Sequence, residues 1–154
     1  NYRRLTRIPT PIRTQISVAE LFTDLKKLFP EEEFQFEAPS PELKLNADRT
    51  QIEQVLINLL KNAREACNRK LDKNIQVKVK KLSAGNTALT ISDNGEGILP
   101  DVLDKIFVPF FTTKTSGSGI GLSLCKQIMT LHEGSINVKS EVGKGSSFIL
   151  TFPK

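Results

Sequence analysis

Apolar residues recur along this chain with two different periods, and the switches between them mark its elements. Ser17-Val18-Ala19-Glu20 has the form of a capping box, and Leu21, Phe22, Leu25, Leu28 and Phe29 follow at helical spacing until Pro30. Phe34 and Phe36 then alternate with polar neighbours, as in a strand. Pro39-Ser40-Pro41 makes a turn, and Leu43 and Leu45 mark a second short strand. Asp48, with Gln51 three residues on, caps a long helix. Its inward stripe is Ile52, Leu56, Leu59 and Ala63, widened by Val55 and Leu60.

The period returns to two at Ile75, Val77 and Val79, which alternate with Gln76, Lys78 and Lys80. Residues 83–86 turn the chain back, and Leu89 and Ile91 lie on a returning strand that ends at Asp93. Residues 99–116 carry no long period. A helix is expected from Gly119 to about Leu131, with Leu122, Cys125, Ile128 and Met129 inward and Gly134 as its stop. Two strands, around 136–139 and 147–152, close the chain across Gly143-Lys144-Gly145. The order is strand, helix, two strands, helix, two strands, helix, two strands. It predicts an α+β fold, a two-layer sandwich with three helices on one face of a mixed sheet.

Composition narrows the function classes. The chain has 154 residues, 38% hydrophobic and 25% charged, an ordinary profile for one folded unit. No apolar run approaches the ~20 residues of a membrane span, and the basic, Pro-containing start is not a signal peptide. The net charge of +5 is spread along the chain and reads as a solvated surface. One Tyr and no Trp leave little for base stacking, so no nucleic-acid partner is expected. Cys67 and Cys125 form no C-x-x-C pair and read as buried, reduced thiols, which fits a cytoplasmic location. The single histidine, His132, cannot anchor a zinc site alone.

The candidate chemistry lies between Asp93 and Leu122, where five of the nine glycines fall. Asp93-Asn94-Gly95-Glu96-Gly97-Ile98 puts a carboxylate where a strand meets a glycine turn. A buried acceptor there suits an adenine amino group and rejects a keto oxygen, with Gly95 and Gly97 allowing the turn and the approach of the base. The plainer alternative is an Asx turn. Gly117-Ser118-Gly119-Ile120-Gly121-Leu122 opens a helix, so its amides and the helix dipole make an anion site. No Lys-Ser or Lys-Thr follows, as a Walker loop requires, and no strand leads straight into it, as a dinucleotide fold requires. Between the two boxes, Phe107, Phe110, Phe111, Thr112, Thr113 and Lys114 read as a lid over a nucleotide, with Lys114 reaching its phosphates; a hydrophobic loop with a solvated lysine is the alternative.

On the long helix, Asn58, Asn62 and Glu65 share a stripe beside the apolar one. Each Asn costs the helix roughly 0.6 kcal/mol relative to Ala. Their amide oxygens are hard donors suited to magnesium, although solvent-facing or backbone-bonded asparagines would look the same.

Taken together, the boxes resemble the ATP-binding catalytic domain of bacterial two-component sensor histidine kinases, of the GHKL superfamily and the Bergerat fold. The resemblance covers about residues 14–153. It is carried by Asn58-Leu59-Leu60-Lys61-Asn62-Ala63, by the two glycine boxes, by Phe107-Val108-Pro109-Phe110-Phe111, by His132-Glu133-Gly134 and by Gly143-Lys144-Gly145-Ser146-Ser147-Phe148, all in the family's order. It implies ATP and Mg2+ as cofactors, with Asn62 coordinating magnesium and Asn58 supporting it. It implies Asp93 on the adenine amine, and Gly97 lining the base pocket. Gly119, Gly121 and Leu122 would offer amides to the phosphates. The same resemblance adds Gly95, Ile98, Phe107, Thr113, Lys114, Gly117 and Ile120 to the nucleotide contacts. Ser146 stands where the family usually has threonine near the adenine.

Gyrase-like relatives carry a water-activating glutamate four residues before the magnesium asparagine; here that residue is Asn58, which cannot take a proton at neutral pH. Weak hydrolysis would spare the γ-phosphate for another acceptor. The family's phosphorylated histidine lies on an upstream helical hairpin and is followed by an acidic residue and soon a proline. His132-Glu133-Gly134 lacks the proline and reads as structural. Residues 1–12, with Arg3, Arg4, Leu5 and Arg7, then read as a linker or the end of that hairpin, and 13–154 as the catalytic domain. The implied partners are that hairpin and, indirectly, a response regulator receiver domain. Alone the domain is expected to be monomeric, and a membrane anchor would belong to a longer protein. A nucleotide-sensing module, an anti-sigma-factor-like serine kinase and a clamp-type ATPase are the alternatives.

Overall fold

In the computed structural model, which describes residues 8–32, 34–109 and 121–154, the Ser17 hydroxyl accepts from the Glu20 amide at 3.2 Å and starts α1 (Val18–Leu28). Before it lies β1 (Thr14–Ser17), the opening strand whose residues periodicity does not locate. Val18, Leu21, Phe22 and Leu25 are buried, but Leu28 is 53% exposed, contrary to the expected stripe. The last turn overhangs the core, and Phe29, in a non-helical conformation just beyond the helix, turns inward instead.

After β2 (Gln35–Glu37) and β3 (Lys44–Ala47), Asp48 caps α2 (Arg49–Ala66) through a 3.1 Å bond from the Gln51 amide. Ile52, Val55, Leu56, Leu59, Leu60 and Ala63 are all buried. Each large apolar side chain there stabilises by roughly 1.5–3 kcal/mol. That outweighs the propensity cost of two asparagines, so α2 can carry them without losing its helix.

The remaining elements are β4 (Ile75–Lys81), β5 (Thr87–Asp93), the short α3 (Pro100–Leu103), α4 (Gly121–Leu131), β6 (Ser135–Glu141) and β7 (Gly145–Phe152). The five-stranded sheet runs β2-β4-β5-β7-β6, parallel between β2 and β4 and antiparallel elsewhere; β1 and β3 form a separate antiparallel pair. The fold is thus α+β with a mixed sheet. Register aligns side chains of one face into rungs. One inner rung is Phe36, Val77, Ile91, Phe148 and Val138; the next is Val79, Leu89, Leu150 and Ile136. The opposite face carries Gln76, Lys78 and Lys80, which explains why one layer of helices suffices.

Two joints hold the helices. His132, 1% exposed, sets Nδ1 against the Ile128 carbonyl at 2.9 Å, while its Nε2 accepts from the Asp48 amide at 3.0 Å. Those partners fix the Nδ1–H tautomer and tie the end of α4 to the start of α2. The turn after α4 is a Schellman motif: the Gly134 amide donates to Met129 O and the Glu133 amide to Thr130 O, both at 2.9 Å. Its left-handed residue is Glu133, at φ 61°, and not Gly134. Glycine is needed at 134 because a Cβ there would lie 2.2 Å from Thr151 O. The stop expected at Gly134 is therefore a packing requirement against β7.

Candidate functional site

The third inner rung of the sheet is polar. Where the two neighbouring rungs are apolar, this one reads Ile75, Asp93, Ser146 and Ser140 across β4, β5, β7 and β6. The half-buried Asp93 side chain accepts from the Gly95 amide at 2.8 Å. Burial pushes its carboxyl above the usual carboxylate range, and the amides of Gly95 and Ser146 offset only part of that. A carboxylate so placed has its charged form disfavoured by burial, and a further donor would stabilise it.

The loop after Asp93 is pinned from both sides. The Asn94 amide group accepts from Asn74 N at 2.8 Å and donates to Asp72 O at 2.9 Å. The Glu96 amide reaches Ala66 O at 3.2 Å, and Glu96 O accepts from Gly143 N at 2.9 Å. A Cβ on Gly95 would lie 2.4 Å from Ala66 O, and one on Gly97, at φ +78°, 2.3 Å from Glu141 O. The missing side chains of the first box therefore make room for the chain's own backbone. These contacts alone require glycine at both positions, and φ +78° at Gly97 fits the expected turn. Gly145 belongs to the same construction: its Cβ would fall 2.0 Å from Asp93 O.

On α2, Asn58, Asn62 and Ala66 follow one another at four-residue steps, so they form one stripe of about 12 Å. Its far end, Ala66, carries Gly95 and Asp93. Its near end faces the first residue of α4, where a Cβ on Gly121 would be 3.7 Å from Asn58 Oδ1. Asn62 stands between, half-buried. Beneath this contact the Cys125 thiol, one turn after Gly121, is pushed up to about 12 by burial, with a hydrogen bond to the Asn58 side chain acting the other way. Cys67 is buried too, with its thiol also raised by burial. Both are inert, as expected.

Residues 47–154 match the family of histidine kinase-, DNA gyrase B- and HSP90-like ATPases. The chain belongs to this ATPase family. It is 41% identical over 110 residues to the sensor histidine kinase ZraS of Salmonella typhimurium, covering 71% of this chain and 23% of that protein. The catalytic domain of histidine kinase ThkA, nucleotide-free, superposes with a TM-score of 0.81 at 36% identity, over 92% of this chain and 95% of that one. ThkA in complex with the response regulator TrrA gives a TM-score of 0.76 at 33% identity, over 92% and 42% of the two chains. This ATPase domain thus spans about a quarter of the length of a curated relative such as ZraS.

The ATPase domain places Asn58, Asn62, Asp93, Gly95, Gly97, Ile98, Gly121 and Ser146 along the C-terminal half of α2 and at the polar rung, with Asn58 and Gly121 at one end and Gly95 and Asp93 at the other. Leu122 lies half-buried at the start of α4, less inward than expected, and Ser123 takes the buried place beside it. Phe107 packs against the core with the Lys126 ammonium 5.7 Å from its ring centre. Phe110, Phe111, Thr112, Thr113, Lys114, Gly117, Gly119 and Ile120 lie outside the described residues. Sequence reasoning missed Ser140. Its signal was the register of β6: a hydroxyl two residues after Val138 and four after Ile136, on the inner face. No described helix is long and apolar enough to cross a membrane.

Proposed function

We propose that this domain binds Mg-ATP and donates the γ-phosphate to a histidine on a separate domain, for relay to a response regulator. The observation that carries the reading is the stripe Asn58–Asn62–Ala66, bounded by the α4 start at one end and by Asp93 at the other. A ligand spanning it meets side-chain amides and a helix N-terminus at one end and a half-buried carboxylate at the other. That polarity suits phosphates and an amine-bearing base.

Among the described residues no three His, Cys, Asp or Glu side chains converge on a metal position. The donor set fits magnesium all the same, because that ion keeps several waters and is commonly bound by few protein oxygens plus substrate phosphates. Asn62 would hold it, with Asn58 beside, and it would neutralise phosphate charge. The chain's own residues do the positioning. Asp93 accepts the base amine. The α4 start, with Gly121 and Leu122, faces the phosphates. Asn58 offers no proton acceptor to water.

His132 is not the phosphate acceptor, since both its ring nitrogens are engaged inside the core. The acceptor therefore belongs to another domain, and residues 13–154 act as the donor module. The similarity to ThkA, solved with a response regulator, supports the wider relay.

The test is to mix the domain with a separate histidine-hairpin domain and radiolabelled ATP. Label should appear on histidine of the hairpin and not on this chain. Asn62→Ala should remove the magnesium dependence of ATP binding in calorimetry. Label on this chain, or an Asn62→Ala protein that binds Mg-ATP like the parent, would refute the assignment.

A further inference from the structure

Asn94-Gly95 is the only Asn-Gly step in the chain. In such a step the glycine amide nitrogen attacks the asparagine Cγ. The N–Cγ bond forms, the Cγ–Nδ2 bond breaks, and ammonia leaves with the amide proton. Water then opens the cyclic imide to aspartate or isoaspartate. Glycine favours the closure because it has no Cβ to hinder it. Packing nevertheless dictates both residues. A Cβ at 95 would lie 2.4 Å from Ala66 O, so glycine is required there. At 94 one side chain accepts from Asn74 N at 2.8 Å and from the Cys67 thiol at 3.5 Å, and donates to Asp72 O at 2.9 Å. That combination needs an amide, because a carboxylate has no donor for Asp72 O.

The same contacts hold the reaction off. Both ends of the Asn94 amide are tied to residues 72–74, while the Gly95 amide donates to Asp93 Oδ1 at 2.8 Å. Ring closure needs that nitrogen, stripped of its proton, at close approach to Cγ. The Asp93 carboxylate instead holds the proton on the nitrogen. We propose that Asn94-Gly95 is a latent deamidation site, kept closed by Asp93 and the 72–74 segment, whose reaction erases the nucleotide site. Three hydrogen bonds must open first; at about fivefold each, the folded chain should react about a hundredfold more slowly than the unfolded one. The product puts an acceptor where Asn94 donates to Asp72 O and a new negative charge beside Asp93. Isoaspartate also adds a backbone carbon to a loop that the Glu96–Ala66 bond holds in place. The loss of binding rests on the Mg-ATP reading of the site; the deamidation itself does not.

The experiment incubates the chain in mildly alkaline buffer with and without urea, digests it, and reads aspartate and isoaspartate at position 94 by mass spectrometry. The parent should react about a hundredfold faster in urea than in buffer. Asp93→Ala frees the Gly95 amide, so it should react about fivefold faster than the parent in buffer and at the parent's rate in urea. Should Asp93→Ala not fold, Asp93→Asn, a neutral acceptor, should show a smaller rise in its place. Asn94→Asp, the direct product, should lose Mg-ATP affinity by about tenfold or more in calorimetry. Deamidated parent, separated by ion exchange, gives the same reading if that variant does not fold. A folded parent that reacts as fast as the unfolded chain would overturn the proposal. So would an unchanged rate in both Asp93 variants, or an aspartate at 94 that leaves Mg-ATP binding intact. A fresh parent that binds no Mg-ATP would overturn the nucleotide reading alone, and the rates at position 94 would still decide whether the fold holds this step closed.

Discussion

Two aspartates in this molecule end a strand segment and accept from an amide two or three residues ahead, yet their electrostatics diverge. Asp48, at the start of α2, is surrounded by donors. Burial pushes its carboxyl up, but the amides of Ile12, Gln51 and Thr50 outweigh that and leave it below the usual range. Asp93, at the end of β5, has the Gly95 and Ser146 amides, and burial wins. The first corner is a finished joint: it ties the incoming segment to α2 (Ile12 N to Asp48 Oδ2, 2.9 Å) and, through His132, to α4. At the second, burial outweighs the donors the fold supplies. A structural carboxylate has its charge stabilised by the fold, whereas Asp93, proposed to meet a ligand, sits where burial disfavours its charge.

The comparison breaks hardest at the backbone behind Asp93. Gly145→Ala would push a methyl to 2.0 Å from Asp93 O at φ +123°, so about 3 kcal/mol or more should be lost in urea unfolding. Gly143→Ala is the control, because nothing lies within 4 Å of its Cβ position. It should cost only the strain of φ +83°, about 1 kcal/mol. Equal losses at the two sites would show that the Asp93 corner is no more tightly built than a surface turn.

Exchanging the two carboxylates comes next. Asp93→Asn keeps an amide acceptor for Gly95 but weakens the one offered to a ligand. Mg-ATP affinity should fall by about 1–3 kcal/mol, with unfolding unchanged or slightly harder. Asp48→Ala removes a helix cap and the Ile12 bond, so about 1–2 kcal/mol of stability should go while affinity stays. Calorimetry and denaturant unfolding on both variants read the crossed pattern. If both variants lose stability and neither loses affinity, Asp93 is merely a second cap.

How far these corners were legible in the sequence follows from what each signal measures. Alternation and helical spacing report burial on one element, so the buried stripe of α2 and the strands β4, β5, β6 and β7 stand where periodicity puts them. Ser17 and Asp48 were readable because capping is local. Leu28 misled because its turn overhangs the core; Gly134 marks the end of α4 as expected, but the need for glycine there comes from Thr151, seventeen residues on. The box glycines were visible as a cluster, but their cause was not. Gly95 is dictated by Ala66 and Gly97 by Glu141, contacts that exist only once the sheet is registered. Ser140 became visible for the same reason, when β6 and β7 paired.

Acid titration sharpens the contrast with opposite signs. Asp48 is depressed in the folded state, so its contribution is present above pH about 3.8 and is lost as pH falls through its lower folded value. The stability gap between the parent and Asp48→Asn should therefore be full at neutral pH and close in stronger acid. Asp93 is raised, so its contribution is present below pH about 3.8 and is lost as pH rises through its higher folded value. Asp93→Asn should gain on the parent as pH rises from about 4 towards neutrality. Unfolding curves from strong acid to neutrality, with no nucleotide, should show Asp48→Asn falling behind the parent as pH rises towards about 3.8 and Asp93→Asn gaining on it above that; a change of the same sign in both would contradict the assignment of either corner.

The smallest effect probes the joint on the far side of α2. Glu133 occupies a left-handed position, at φ 61°, that glycine would hold without strain. Its side chain also meets Arg13 at 2.7 Å, but Glu133 is 74% exposed in that pair. An ion pair so open to water contributes little, while relief of the left-handed strain is worth up to about 1 kcal/mol. Glu133→Gly should therefore raise stability by a few tenths of a kcal/mol and leave Mg-ATP affinity unchanged. Arg13→Ala should barely register in either measurement. A clear loss of stability in both variants would mean that the Arg13–Glu133 pair anchors the segment leading into the domain, and that the Asp48 corner depends on ionic as well as hydrogen-bonded ties.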